Sequence, residues 1–354
     1  MEIKIIVGNT DSDVKTLNEA LEMAQPGTTI KLNEGHYHVW AKIKTPGLKI
    51  EPRKKDTPVY LLWEEGACIT VDLKQGETCI INSIIIAHFG SNIANKFNEQ
   101  IKDTNLSGAN PKFLKQFDWN KDMDWAVLVL GGNLIMRNCL VSLKSLPENI
   151  KSSISSFVAM PGSRVNLIKT EIRGNESINT TGAIMLNSDV LISDCIFNNF
   201  RAGGLFVSGH SETSIKISDT TFNRWGVAAI YSQGEDWKPL FLRIKIENVD
   251  GPGIKVYKAN RAKIKGWDIS KCQMGIEVIW GDPFIILNKI YKNYEHGILT
   301  VAKKGLRWDA LIKFNEIYKN KDNGIVWSGE SKKSYYNRII LYFENYTIVK
   351  RFQI

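Results

Sequence analysis

The stretch NKIYKNYEHGI at residues 288–298 returns as NEIYKNKDNGI at residues 315–325, 27 positions later. A phrase repeated at a period of about 20 to 50 residues marks a chain built from stacked units, each touching its neighbours. The period extends upstream. The Gly-Ile pair recurs at Gly253, Gly275 and Gly297, 22 residues apart, and again at Gly324. Gly182-Ala183-Ile184 is followed 22 residues on by Gly204-Leu205. A second phrase keeps step with it: IFNNF at 196–200, TFNRW at 221–225, IYKNY at 290–294 and IYKNK at 317–321.

Between these marks, VLISDCIF, SIKISDTTF, LFLRIKIENV and RAKIKGWDI alternate β-branched with polar residues, and none keeps a helical period. They read as strands. About 22 residues hold two or three short strands and their polar corners, which is one turn of a coil whose strands pair in parallel with the next turn. Glycine and asparagine at the corners supply backbone conformations that other residues resist. Repeated Asn and Asp side chains satisfy corner backbone groups turn after turn. Residues 1–354 therefore read as one all-β domain, a parallel β-helix of about 11 or 12 turns with Ile254, Ile276 and Ile298 stacked in its interior.

Ahead of the coil, DSDVKTLNEALEMAQPG at 11–27 places Leu17, Ala20, Leu21 and Ala24 on one helical stripe, with Asp and Ser at its start and Pro-Gly at its end. Residues 1–27 thus read as a strand and a capping helix that covers the open end of the stack. One segment breaks the repeat: residues 91–125 are polar and too long for a turn, and read as a flap lying along one sheet.

The run TLNEALEMAQPGTTIKLNEGHYHVWAKI at 16–43 resembles the opening of right-handed parallel β-helix proteins of the pectate-lyase-like superfamily. The N-x-I-x-x-N-x-x-x-G-I phrase is similar to the repeat of carbohydrate-binding and sugar-hydrolase (CASH) modules in NosD-type proteins. Together the matches cover about two thirds of the chain and imply a single-stranded, right-handed coil. The superfamily hosts lyases, hydrolases, esterases and non-catalytic binders, so function has to be argued from residues.

Composition narrows the classes. Apolar residues make up 43% of the chain, and no run reaches the roughly 18 apolar residues of a membrane span, so no membrane partner is expected. Residues 1–30 lack the basic start, apolar stretch and cleavage site of a secretory signal. As written the chain reads as cytoplasmic, or as extracytoplasmic if a signal peptide was removed from it. Five cysteines, Cys68, Cys79, Cys139, Cys195 and Cys272, form no CxxC and fall in strand patterns, as reduced core thiols do. A net charge of +9 suits an acidic partner, but the 46 basic residues are scattered, so no specific nucleic-acid binding is expected.

The densest acidic cluster is DWNKDMD, with Asp118, Asn120, Asp122 and Asp124 near-alternating as in a calcium loop. Met123 stands where an EF-hand needs glycine and Val129 where it needs glutamate, which leaves a partial Ca2+ site or a solvated acidic turn. The cofactor reading is none, with Ca2+ as the alternative. Enzyme signatures of the resembled families are incomplete. Val39 replaces the glutamate of pectin methylesterases in GHYHVW. The polygalacturonase set is represented only by Asn9-Thr10-Asp11, a lone His210 and Arg243-Ile244-Lys245, with no paired aspartates between them. Glycoside cleavage needs two carboxylates, and no such pair stands out. No Gly-x-Ser-x-Gly, Walker loop or Gly-x-Gly-x-x-Gly is present. His210 and His296 fall at repeat corners, where a structural role is expected.

If the aliphatic residue of each Gly-Ile step points inward, its successor points out. That outward ladder reads Met185, Phe206, Tyr231, Lys255, Glu277, Leu299 and Val326, with Tyr257 beside it. A solvated face is seldom so apolar. Trp267, Trp280, Trp308 and Trp327, near Lys303, Lys304 and Arg307, add expected aromatic surface suited to sugar rings. The reading is a non-catalytic binder of a glycan or protein along one sheet. The alternative is a calcium-assisted lyase or hydrolase of an acidic polysaccharide. A further alternative, an oligomeric structural rod of tailspike type, draws on the apolar end NRIILYFENYTIVKRFQI at 337–354.

Overall fold

The computed structural model describes residues 3–64, 66–90, 123–144, 153–175, 180–226, 228–234, 236–258, 261–301, 310–328, 334–335, 338–343 and 346–351. The chain is an all-β parallel solenoid of about 11 turns, and the one helix among the described residues is 3% of it. It packs as two compact units, Met1–Leu191 and Ile192–Ile354. In each unit a turn lays down one strand in each of three sheets, I, II and III in chain order. One turn of unit 2 is Leu240–Leu242, Lys245–Val249 and Ile254–Tyr257. Strands of successive turns pair in parallel and in register, so Ile254 lies beside Ile276 and Ile276 beside Ile298. All three isoleucines are fully buried, as their place in the alternation predicts.

The corners explain the repeated phrase. Between sheets I and II of unit 2 each corner is two residues long, as at Asp219-Thr220, Leu287-Asn288 and Phe314-Asn315. The first residue is left-handed, with φ of +53°, +57° and +58°, and the second is buried. Asn288 and Asn315 use that burial. The Trp267 backbone N–H donates to Asn288 Oδ1 at 2.9 Å, and the Asn288 backbone N–H donates to Asn315 Oδ1 at 3.0 Å. At the corners between sheets II and III, Cys272 N–H donates to Asn293 Oδ1 at 3.0 Å and Asn293 N–H to Asn320 Oδ1 at 3.1 Å. Both asparagines of each phrase therefore satisfy a corner amide of the turn before.

Glycine plays a different part from the one expected. The left-handed seats of the second corner belong to Asn199, Arg224, Asn248, Lys271, Lys292 and Lys319. Gly275 instead makes room: a Cβ there would sit 2.5 Å from both Gly297 O and Ile290 Cγ2. Close approach of consecutive turns, not unusual backbone, requires it.

Unit 1 opens with the strand Lys4–Val7 and helix α1, Leu17–Met23. The helix cap is Thr16, downstream of the Asp-Ser start, with reciprocal bonds between Thr16 and Glu19. Leu17 and Ala20 are buried as the helix packs on Lys4–Val7 and on the strand Ala41–Ile43. Sheet III of this unit is buried on both faces along Ala67–Val71, Asp124–Val129 and Thr180–Leu186, like the near-continuous apolar strands of fully covered parallel sheets. In unit 2 the C-terminal stretch does not end as an open parallel edge. Arg338–Phe343 pairs in parallel with Glu316–Tyr318 and antiparallel with Tyr346–Arg351, a closing hairpin.

Candidate functional site

The outer face of sheet III in unit 2 gathers most of the sequence-predicted ladder. Phe206, Tyr231, Lys255, Glu277, Leu299 and Val326 form one in-register column, a residue per turn. Tyr257 belongs to the adjacent column, opposite Gln233. The aromatic members meet across turns. Phe206 stacks on Tyr231 with ring centres 4.9 Å apart, Tyr231 is 6.4 Å from Tyr257, and Tyr257 is 5.6 Å from Trp280. Trp280 holds a left-handed φ of +55°, an uncommon conformation for so bulky a side chain. Beside this run, Lys255 Nζ and Glu277 Oε2 are 3.1 Å apart. Burial, with Tyr257 and Glu277 alongside, pushes the Tyr231 phenol up from its ordinary pKa, so it stays a neutral donor.

Gln233 was not singled out by sequence reasoning. It points outward yet is only 6% exposed, and its Oε1 has no hydrogen-bond partner among the described residues. The available signal was its place two residues after Tyr231, the same offset that separates Tyr257 from Lys255.

Other expectations need correction. Phe206 is on the outer column but 2% exposed, so only from Tyr231 onward is the run partly open. Met185 lies in unit 1, in register with Ala159, Val129, Val71 and Ile43 and fully buried. That column points inward, since Lys42 occupies the outward position between Ala41 and Ile43. The reason is a small residue: Ala183 fills the inward seat, which displaces the alternation by one. Trp267 is core, edge-on to Phe241, with its Nε1–H donating to Phe241 O at 3.1 Å. Trp327 is half-buried beside Thr300. Trp308, Lys303, Lys304 and Arg307 lie outside the described residues.

Comparison with family models adds what geometry alone leaves open. Residues 181–340 match the family described as "Right handed beta helix region". Over those residues the fold is a right-handed parallel β-helix. The narrower CASH and NosD-type resemblance stays an expectation. Among solved structures, the β-helix is similar to a GH136 lacto-N-biosidase from Eubacterium ramulus, with TM-score 0.57 and 9% identity over 95% of this chain and 67% of that one. It is also similar to a polygalacturonase from Erwinia carotovora ssp. carotovora, with TM-score 0.49 and 14% identity over 94% and 97% of the two chains. At 9% identity the likeness to the lacto-N-biosidase is one of fold. No curated protein matches the sequence.

Within the β-helix the enzyme-like fragments are tied to local structure. Asp11 pairs with Arg53 at 2.7 Å. Val39 is buried. Arg243 meets both oxygens of Asp219, at 2.6 and 2.7 Å, and these hydrogen bonds hold the Asp219 carboxyl below its ordinary pKa. His210 is exposed at a turn, accepting the Glu212 N–H at 3.4 Å. Of the acidic cluster, Asp118, Asn120 and Asp122 lie outside the described residues, as do residues 91–122 of the expected flap at 91–125. Asp124 lies in the strand Met123–Gly131 rather than in a flap, and is fully buried, accepting the Gly66 N–H at 2.8 Å. No group of three or more metal-ligating side chains occurs among the described residues. The five cysteines are buried and form no disulfide among the described residues. Burial pushes Cys68, Cys79 and Cys272 up to about 12 and Cys139 to about 11, so they remain thiols.

Proposed function

We propose that unit 2 is a non-catalytic glycan-recognition module whose contact face is the outer side of sheet III. The observation that carries the reading is the aromatic run Tyr231, Tyr257 and Trp280, with ring centres 6.4 and 5.6 Å apart over successive turns. Partly open aromatic rings offer apolar faces to the C–H side of sugar rings, and their polar edges suit hydroxyls. Trp280 is held in a strained conformation that keeps its ring beside Tyr257, as expected of a side chain placed for contact.

The same face argues against hydrolysis. Glu277 is the one carboxylate among its described outward residues and is already paired with Lys255, whereas acid–base cleavage of a glycosidic bond uses two carboxyls about 5 to 10 Å apart. A glycan is favoured over a protein because half-buried aromatic rings in file suit the faces of successive sugar rings. The likeness of fold to a lacto-N-biosidase supports a carbohydrate-related role in general terms.

The test is a glycan array with the purified chain, paired with turnover assays on pectate, alginate and a glycosaminoglycan with and without chelator. Retention of a glycan without turnover supports the module. Chelator-sensitive release of unsaturated product would replace it with the lyase reading, in which Asp118 and Asp122 become essential. Retention of a protein but no glycan would leave the face and change its partner.

A further inference from the structure

The outer side of sheet I in unit 2 carries a second, chemically different surface. On the strands Lys263–Lys265, Phe284–Ile286 and Leu311–Lys313 the outward positions include Lys263, Lys265, Phe284 and Lys313. The corners that follow the last two strands add Leu287 and Phe314. Phe284 is 43%, Leu287 53% and Phe314 49% exposed. Leu287 and Phe314 hold left-handed backbone, in seats that Asp194 and Asp219 occupy earlier in the unit. Left-handed backbone is uncommon for such side chains, and apolar residues clustered on an exposed face mark a contact surface.

We propose that this face is a peripheral docking surface for an anionic lipid membrane. Charge selects the partner. No outward residue of the three strands is a carboxylate, and no carboxylate pairs with Lys263, Lys265 or Lys313 among the described residues. A second copy of the chain would set lysines against lysines across a two-fold interface. A sugar polymer would have no use for Leu287. A bilayer accommodates both features: headgroup phosphates receive the lysines, and the ridge of Leu287 and Phe314 reaches the boundary with the acyl chains. Lys313 Nζ lies 5.5 Å from the Phe314 ring centre, which carries the charge and the apolar group on one ridge. The contact is a surface one, since no helix among the described residues is long and apolar enough to cross a membrane.

The experiment is co-sedimentation of the full chain with vesicles of phosphatidylcholine alone and with added phosphatidylglycerol, at low and high salt. The wild type should pellet only with the anionic vesicles, less so as salt screens the lysines. Leu287→Asn with Phe314→Asn should weaken pelleting about tenfold or more while preserving the fold, because asparagine tolerates left-handed backbone. Lys263→Glu with Lys265→Glu should do the same. Failure to pellet with anionic vesicles, or pelleting indifferent to both double variants, overturns the proposal. So does tighter retention on polyglutamate than on vesicles through these same residues, which would assign the face to an acidic protein.

Discussion

Asn315 Oδ1 accepts both the backbone N–H and the side-chain N–H of Asn288, at 3.0 and 2.9 Å, across one turn of unit 2. The bond is buried, so its loss leaves two donors without water. Asn315→Leu should therefore cost about 2 to 4 kcal/mol in urea unfolding, since each orphaned buried donor costs on the order of 1 to 3. A loss within the roughly 0.5 kcal/mol typical of surface substitutions would deny the asparagine column its structural role.

The stacked isoleucines make a separate prediction. Ile276 is fully buried between Ile254 and Ile298, and Ile276→Asn should cost about 2 to 5 kcal/mol through lost burial and an unpaired amide. Ile276→Leu, which keeps the volume, should cost less than about 1.5 kcal/mol. Equal effects would mean that side-chain polarity does not matter there.

Gly275→Ala tests why glycine recurs. Where backbone allows it, this exchange usually stabilises by about 0.4 to 1 kcal/mol. Here the new methyl meets Gly297 O and Ile290 Cγ2, both at 2.5 Å, so the sign should reverse to a loss of about 1 to 3 kcal/mol. Any gain in melting temperature would contradict the close approach of the turns.

Acid should destabilise the protein in two stages. Burial holds the His88 imidazole below its ordinary pKa, against the pull of Asp124. The unfolded chain therefore takes up the proton first, and stability falls as pH drops below the ordinary histidine value of about 6.5. For Glu51, burial alone would raise the pKa, but hydrogen bonds from Lys31 and Lys49 outweigh it and hold the carboxyl low. Its contribution is present above the ordinary carboxylate value of about 4.3 and is lost as pH falls through the lowered one. Glu51→Gln should flatten the lower stage of a urea-midpoint profile and leave the upper. A profile unchanged from about pH 7 to 5 would contradict the buried, neutral His88.

The fold was legible because its signals are periodic and local: Gly253, Gly275 and Gly297 mark turns, and Asn288, Asn293, Asn315 and Asn320 mark corners. The site was legible only where strands alternate. From Phe206 to Val326 the period of two fixes which residues face out, and the column follows. Met185 was misplaced because its strand, Thr180–Leu186, is buried on both faces and offers no polar residue to set the register. Gln233 escaped notice because its burial depends on neighbours from adjacent turns. Leu287 and Phe314 are invisible as left-handed residues, since nothing in their chemistry announces that conformation.

The central claim is that the run Tyr231, Tyr257 and Trp280 recognises a glycan without cleaving it. The most direct measurement is the affinity of wild type and Tyr257→Ala, by calorimetry, for the oligosaccharide retained best on a glycan array, with melting temperatures measured alongside. The account predicts a loss of about 1 to 3 kcal/mol in binding at nearly unchanged melting temperature, and no cleavage of the oligosaccharide. Undiminished binding by Tyr257→Ala, or cleavage of the glycan by wild type, would contradict it.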